Sequence, residues 1–230
     1  MDIDTLLSTE LRVHRGGAVT WMVDEDIARF LYRTVSEGMS TLETGVGLST
    51  VIFAMRGTEH IAITPQQEEV DRIKDFCRFH SISTDRLRFF VGFSEDLLPT
   101  LDLPQLDLVL IDGGHGFPVP YIDWRYTAGH LNVGGKMIID DCQLDTGAVL
   151  RDFLRAEAAW AEEQNFFGRT SVFNLVQPCE FREWVYQPYV KARSRRLQYL
   201  YGLRKALPLI RRGDFSTLWS GLKRWMDAQT

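Results

Sequence analysis

Apolar residues along this chain alternate between two patterns. Short unbroken runs such as Leu106–Ile111 hold almost no polar residue, and the stretches between them repeat apolar positions every three or four residues. The first pattern predicts strands covered on both faces, the second amphipathic helices. A helix is predicted over Asp24–Glu37, capped by Asp24, with Ile27, Phe30, Leu31 and Val35 on its apolar side. A repeating cycle follows: strand Ser40–Thr44, helix Leu48–Arg56, strand His60–Thr64, a helix opened by Pro65 and reaching His80, strand Leu87–Val91, and a short helix over Glu95–Thr100. It continues with strand Leu106–Ile111, helix Tyr121–Leu131, strand Lys136–Asp140 entered through Gly134–Gly135, and helix Val149–Trp160. Phe166–Phe167 and Val172–Val176 flank Gly168–Arg169 with no helix between, which predicts a hairpin. Strands alternating with helices, joined by right-handed crossovers, make a doubly wound, mostly parallel α/β sheet closed by that hairpin.

The length of 230 residues suits one full domain with an appendage, divided here as 1–179 and 180–230. A hydrophobic share of 45% with 25% charged residues excludes a disordered chain and a membrane bundle. The longest apolar run, Val51–Met55, falls far short of the ~20 residues of a membrane span. The start, MDIDTLLSTE, is acidic where a signal peptide is basic, an expectation against secretion and for the cytoplasm. Three cysteines, Cys77, Cys142 and Cys179, without CxxC spacing, suit reduced thiols and exclude a zinc knuckle. The net charge of −5 is uneven: residues 180–230 hold eleven Lys/Arg against four Asp/Glu, and residues 1–179 fifteen against twenty-seven. An acidic body opposes nucleic-acid binding, which depends on neutralising phosphates.

The first strand leads into Glu43-Thr-Gly45-Val-Gly47-Leu-Ser49-Thr50. Glycines there let a ligand approach the backbone, and the next helix offers free N–H groups. A dinucleotide fingerprint needs a third glycine where Thr50 stands, and Glu43 suits a cationic ligand better than pyrophosphate. This stretch resembles motif I of the class I S-adenosylmethionine-dependent methyltransferases, whose acidic-x-Gly-x-Gly pattern holds the amino-acid end of the cofactor. Gly92-Phe93-Ser94 and the Glu95–Pro99 run look like the segment bordering the adenine. Ile111-Asp112-Gly113-Gly114-His115 follows strand four, and Leu131–Asp141 resembles that superfamily's two glycines, strand and acidic pair. The resemblance covers residues 20–177 and implies a seven-stranded sheet of order 3-2-1-4-5-7-6 with the last strand antiparallel. It places Glu43, Gly45, Gly47, Ser49, Thr50, Thr64, Gly92, Phe93, Ser94 and Asp112 at the cofactor. One position departs: strand two of the superfamily ends in an acid at the ribose, and here it ends in Thr64-Pro65, which offers no carboxylate pair.

Asp112 ends strand four, and Asp140 and Asp141 end strand five, beside the crevice where such sheets bind ligands. Three carboxylates there repel one another unless a hard cation such as Mg²⁺, Ca²⁺ or Mn²⁺ joins them. The arrangement is similar to the metal-dependent O-methyltransferases, which implies Asp112, Asp140 and Asp141 as metal ligands and a small-molecule hydroxyl as acceptor. His115, on a glycine-flexed loop, is the candidate base, with Asp112 beside it. Adjacent Asp140 and Asp141 reach one ion only if the chain turns between them. Cys142 is expected to be buried filler, and Tyr121, Trp124 and Tyr126 either wall an acceptor pocket or pack in the core.

The tail carries nine aromatics, and Phe215, Leu218, Trp219, Leu222 and Met226 form a helical stripe. Pro208 and Gly213 are expected to divide it into two helical parts. Its basic, aromatic faces suit the acidic body of its own or a second copy in a homo-oligomer, or peripheral contact with an anionic membrane. Two further readings stand beside the methyltransferase: a degenerate cofactor-binding scaffold, prompted by Thr64, and a nicotinamide-dependent oxidoreductase, prompted by the glycine turn. The acceptor is expected to be selected by loops and the N-terminal segment, including His14 to Trp21.

Overall fold

The apolar runs form the middle of one sheet. The computed structural model describes residues 1–14 and 23–227, with side chains left aside at Leu222 and beyond Lys223. Seven strands, β1 (Ser40–Thr44), β2 (Glu59–Thr64), β3 (Leu87–Val91), β4 (Leu106–Ile111), β5 (Leu131–Ile139), β6 (Trp160–Phe166) and β7 (Thr170–Leu175), lie in the order β3-β2-β1-β4-β5-β7-β6. The first five are parallel to one another, and β7 runs antiparallel to both β5 and β6. This is a Rossmann-like methyltransferase fold.

The unbroken runs follow from helices on both faces. From Leu108 onward the residues of β4 alternate between two separate cores: Leu108 and Leu110 join one, Val109 and Ile111 the other, which Leu106 also enters across a register shift. The first core is closed by α2 (Glu25–Thr34), α3 (Leu48–Arg56) and α4 (Gln67–Phe79), through Ile27, Leu31, Phe53 and Ile73, all fully buried. The second is closed by α7 (Asp145–Ala156) through Leu150 and Leu154. Completely burying a Leu or Phe is worth about 1.5–3 kcal/mol, so each helix is held mainly by its apolar stripe. A short N-terminal helix, α1 (Ile3–Ser8), capped by Asp2 on Thr5 N–H at 2.8 Å, adds Leu6 to the first core. The short α5 (Ser94–Leu97) and α6 (Val119–Thr127) complete the set around the strand ends.

Three sequence expectations need correction. The helix predicted to reach Trp160 ends at Ala156, and Trp160 opens β6. That strand reads Trp-Ala-Glu-Glu-Gln-Asn-Phe because it is the sheet edge, with exposed polar residues that mask its period. Strand five begins at Leu131, so Gly134 and Gly135 lie inside it rather than before it. Gly135 is needed there because a Cβ would press on the Asn132 and Asp107 carbonyl oxygens.

Chain contacts divide the molecule into two compact units, Met1–Phe181 and Arg182–Thr230. The second consists of α8 (Pro188–Arg211), α9 (Phe215–Asp227) and a single 3-10 turn. Pro208 does not break α8: in the last turn its missing N–H forfeits one bond, and the helix ends at Arg211, with Arg212 as its C-cap before Gly213 (φ +70°). Asp214 then caps α9, accepting the Thr217 N–H at 3.1 Å. None of the residues of α8 is buried. No described helix is long and apolar enough to cross a membrane.

Candidate active site

A cavity of about 680 Å³ opens at the carboxyl ends of β1–β5. That volume is typical of a small-molecule site, and the position is the crevice where a doubly wound sheet reverses its strand order. Its wall includes Gly45, Thr64, Gly92, Phe93, Ser94, Asp112, His115 and Asp141, all expected from the sequence. Phe93 is 59% exposed, a large aromatic face free at the rim.

The glycine turn is held from behind. Gly45 takes φ +86°, and a Cβ there would strike the Asp112 carbonyl oxygen, so only glycine lets β1 and β4 emerge so close together. Glu43, Gly47, Ser49 and Thr50 lie behind the cavity wall rather than on it. The Glu43 carboxylate accepts hydrogen bonds from Ser49 Oγ at 2.6 Å and from Thr50 Oγ1, and sits 3.2 Å from His60 Nε2. Thr50 Oγ1 also accepts the Gly47 N–H at 2.9 Å. His60 Nδ1 meets Thr41 Oγ1 at 2.8 Å, and its ring stacks on Phe53 with centroids 4.2 Å apart. This buried network fixes the turn from beneath.

Asp112, His115 and Asp141 converge. Their donor atoms lie within 4.8 Å of one another, the one such group among the described residues. The structure brings together His115 instead of Asp140. Asp140 still follows the ladder, its N–H donating to the Ile111 carbonyl at 3.0 Å, and its carboxylate accepts the Thr170 hydroxyl away from the cavity. Asp141 turns into the left-handed region, φ +52°, and its side chain swings to the cavity. His115 Nε2 holds it at 2.9 Å and Gln143 Nε2 donates to it at 2.5 Å.

The electrostatics differ along this wall. Burial, and next the Asp140 and Asp141 carboxylates, hold Asp112 well above the ordinary aspartate range. The His115 hydrogen bond is the main reason Asp141 falls to about 2. Arg169, in the β6–β7 turn, adds a cation: its Nε lies 3.5 Å from Asp141 and its Nη1 3.1 Å from Asp24. Arg169, Gln143 and Glu69 line the cavity without being expected there from the sequence; His14, the start of the segment expected to select the acceptor, lines it too, and 15–21 of that segment lie outside the described residues. They come from a hairpin turn, a loop, a first helical turn and the N-terminal segment. Glu69, an acid just past the strand-two position that lacks one, was the readable signal.

Tyr121 and Trp124 do not line the cavity. Tyr121 packs against Phe117, and Trp124 edge-on against Phe153 and Phe181 at 5.1 and 5.3 Å. Cys142 is buried filler, its thiol raised to about 11 by burial.

Residues 42–142 match the family model described as a methyltransferase domain. No curated protein matches the chain. Among solved structures, the O-methyltransferase TomG of Streptomyces achromogenes, involved in tomaymycin synthesis and bound to S-adenosylmethionine, superposes with a TM-score of 0.59 at 15% identity, over 75% of this chain and 90% of its own. Cofactor-bound Rv0187 from MTB gives 0.58 at 17% identity, over 76% and 86%. An rRNA methylase from Streptococcus thermophilus gives 0.50 at 14% identity, over 68% and 99%. Residues 42–142 therefore match a methyltransferase domain, and the chain has the fold of the class I S-adenosylmethionine-dependent methyltransferases, similar to that of small-molecule O-methyltransferases.

Proposed function

We propose that the chain methylates a hydroxyl group of a small molecule such as a sugar, polyketide or phenol. The observation that carries this reading is the acid-walled cavity of about 680 Å³ directly beside the Gly45 turn. S-adenosylmethionine supplies an electrophilic methyl carbon on a cationic sulfonium. Gly45 admits its methionine end, Phe93 with Gly92 and Ser94 borders the adenine, and Glu43, Ser49 and Thr50 hold the turn from behind. The carboxylates of Asp112 and Asp141 favour a cationic ligand over pyrophosphate. With that cofactor bound, transfer would join the acceptor oxygen to the methyl carbon as the carbon–sulfur bond breaks, leaving S-adenosylhomocysteine. His115 takes the hydroxyl proton on Nδ1, because Asp141 faces Nε2 and steadies the charged ring.

The convergence of three donors favours a second reading of the same wall. Two carboxylates suit a hard divalent ion, and the imidazole shifts the preference from Mg²⁺ or Ca²⁺ toward Mn²⁺. Asp112, His115 and Asp141 would then hold the ion and orient the acceptor oxygen, lowering its pKa. Asp140 has no part in this set. Calorimetric titration with S-adenosylmethionine and S-adenosylhomocysteine, with and without Mg²⁺ or Mn²⁺, tests both readings. Micromolar binding supports the cofactor site, and tighter binding with the ion supports the metal. No binding of either nucleoside sinks the reading, and full turnover in excess chelator sinks the metal.

The basic, aromatic α8–α9 unit is read as the association element, matched in charge to the acidic body of a second copy. Sedimentation that finds a monomer at low ionic strength would exclude this.

A further inference from the structure

We infer that Glu69, rather than a residue of strand two itself, is the carboxylate that binds the two ribose hydroxyls of the cofactor, using the Thr64 hydroxyl as its anchor. This rests on the reading of the cavity as an S-adenosylmethionine site. The end of β2 touches both glycine turns: Gly45 N–H donates to the Ile63 carbonyl and Gly92 N–H to the Thr64 carbonyl, each at 2.9 Å. A ligand lying from the Gly45 turn to Phe93 must cross Thr64 and Glu69, and all four residues line the cavity. In doubly wound nucleotide sites an acid about 20 residues past the glycine turn takes the ribose hydroxyls. Strand two ends in threonine, and the carboxylate arrives instead from the first turn of α4, where the helix dipole favours an anion.

The side chain is aimed and only partly satisfied. Thr64 Oγ1 donates to Glu69 Oε2 at 2.6 Å, and His14 Nδ1 lies 3.0 Å from Oε1. Glu69 is 5% exposed, yet it faces the cavity. Burial pushes its carboxyl up, but the bonds from His14 and Thr64 outweigh this and keep it below the ordinary range, hence ionised. A carboxylate has about four lone-pair sites. Among the described residues one on each oxygen is used, which leaves one on each for a vicinal diol. His14 acts as a positioning residue from the N-terminal segment. Thr64 cannot clamp a diol alone, because its single hydroxyl is already spent on Glu69.

The test is a calorimetric cycle on the full chain with two probes, S-adenosylhomocysteine and its 2′,3′-dideoxyribose analogue. Wild type should bind the dideoxy analogue about 10- to 100-fold more weakly, the span of charged hydrogen bonds. Glu69→Gln should weaken S-adenosylhomocysteine by a similar factor and discriminate between the probes less than about threefold. Equal weakening of both probes by Glu69→Gln, with discrimination kept, would make Glu69 structural and overturn the inference, as would a wild type indifferent to the diol. If Glu69→Gln does not melt cooperatively, Glu69→Asp, with the carboxylate drawn back one methylene, enters the same cycle under the same criterion. Wild type that binds neither probe at millimolar concentration defeats the cofactor reading itself, a result distinct from binding without diol discrimination.

Discussion

The Glu43 carboxylate lies 3.2 Å from His60 Nε2, with both residues buried beneath the glycine turn. Removing one partner of such a pair leaves the other, with the Ser49 and Thr50 hydroxyls, buried and unmet. Glu43→Ala is expected to cost about 3–5 kcal/mol, and Glu43→Gln, which keeps an acceptor, about 1–2 kcal/mol. Urea denaturation reads both. Because Glu43 stands behind the wall, Glu43→Gln should retain S-adenosylhomocysteine affinity within a few-fold. A hundredfold loss in a folded Glu43→Gln would mean direct contact.

Gly45→Ala should fail in a different way. The new methyl strikes the Asp112 carbonyl oxygen at a backbone angle that disfavours a side chain. We expect a loss of at least about 2 kcal/mol of stability and a collapse of cofactor affinity together, seen by thermal melting and calorimetry. A variant as stable as wild type would show that β1 and β4 have room to separate.

Phe93→Ala separates binding from folding. The ring is 59% exposed, so its loss should change stability by less than about 0.5 kcal/mol. Stacking on a base is worth about 1–3 kcal/mol, so S-adenosylhomocysteine should weaken about tenfold. Unchanged affinity would remove Phe93 from the adenine edge.

Asp123, fully buried on α6, gives a pH signature of its own. Burial raises its carboxyl to about 6, against the opposing hydroxyls of Ser94 and Thr44. The folded state then holds a proton between pH 3.8 and 6 that the unfolded state has released, so this group's contribution to stability falls as pH rises through that window and is lowest above it. The full effect is at most about 3 kcal/mol. Asp123→Asn should flatten the pH 4–6 dependence and raise stability at pH 7, measured by urea midpoints at both ends. A slope unchanged in Asp123→Asn would place the titration elsewhere.

Asp112→Asn should trade function for stability. It removes a carboxylate whose ionisation is opposed by burial and by its acidic neighbours. The melting temperature should rise by about 2–4 °C, the equivalent of 1 kcal/mol in a protein of this size. Any stabilisation of wild type by added Mn²⁺ should vanish in the same variant. A lower melting temperature would mean that the carboxylate is structurally required.

The strands were readable where burial on both faces made their sequence uniformly apolar, as in β4. The edge strand β6 was not, because its exposed Glu162–Asn165 stretch carries no two-residue apolar period. The glycine turn, Phe93, Asp112 and His115 were legible because loop chemistry at strand ends is local in sequence. Which of Asp140 and Asp141 faces the cavity was not, since a single backbone angle at Asp141 decides it. Glu69 and His14 meet across 55 positions of chain, a pairing that depends on how the N-terminal segment crosses α4. Arg169 read as half of a turn, and only the antiparallel return of β7 carries it to the carboxylates.

That return has a consequence for biosynthesis. Asp112, Asp140 and Asp141 emerge from the ribosome before Arg169, the cation that closes on the last two. Domains acquire structure as they emerge, from the N-terminus onward. A nascent chain ending near residue 166 would hold the acidic cluster without its counter-charge and β5 without its antiparallel neighbour. Stalled chains of that length should stay protease-sensitive, and chains extended past Leu175 and clear of the exit tunnel should become resistant in one step. The last hairpin thus serves as the molecule's completion signal: the acidic wall of the cavity gains its counter-charge only when the turn between the final two strands has closed on it.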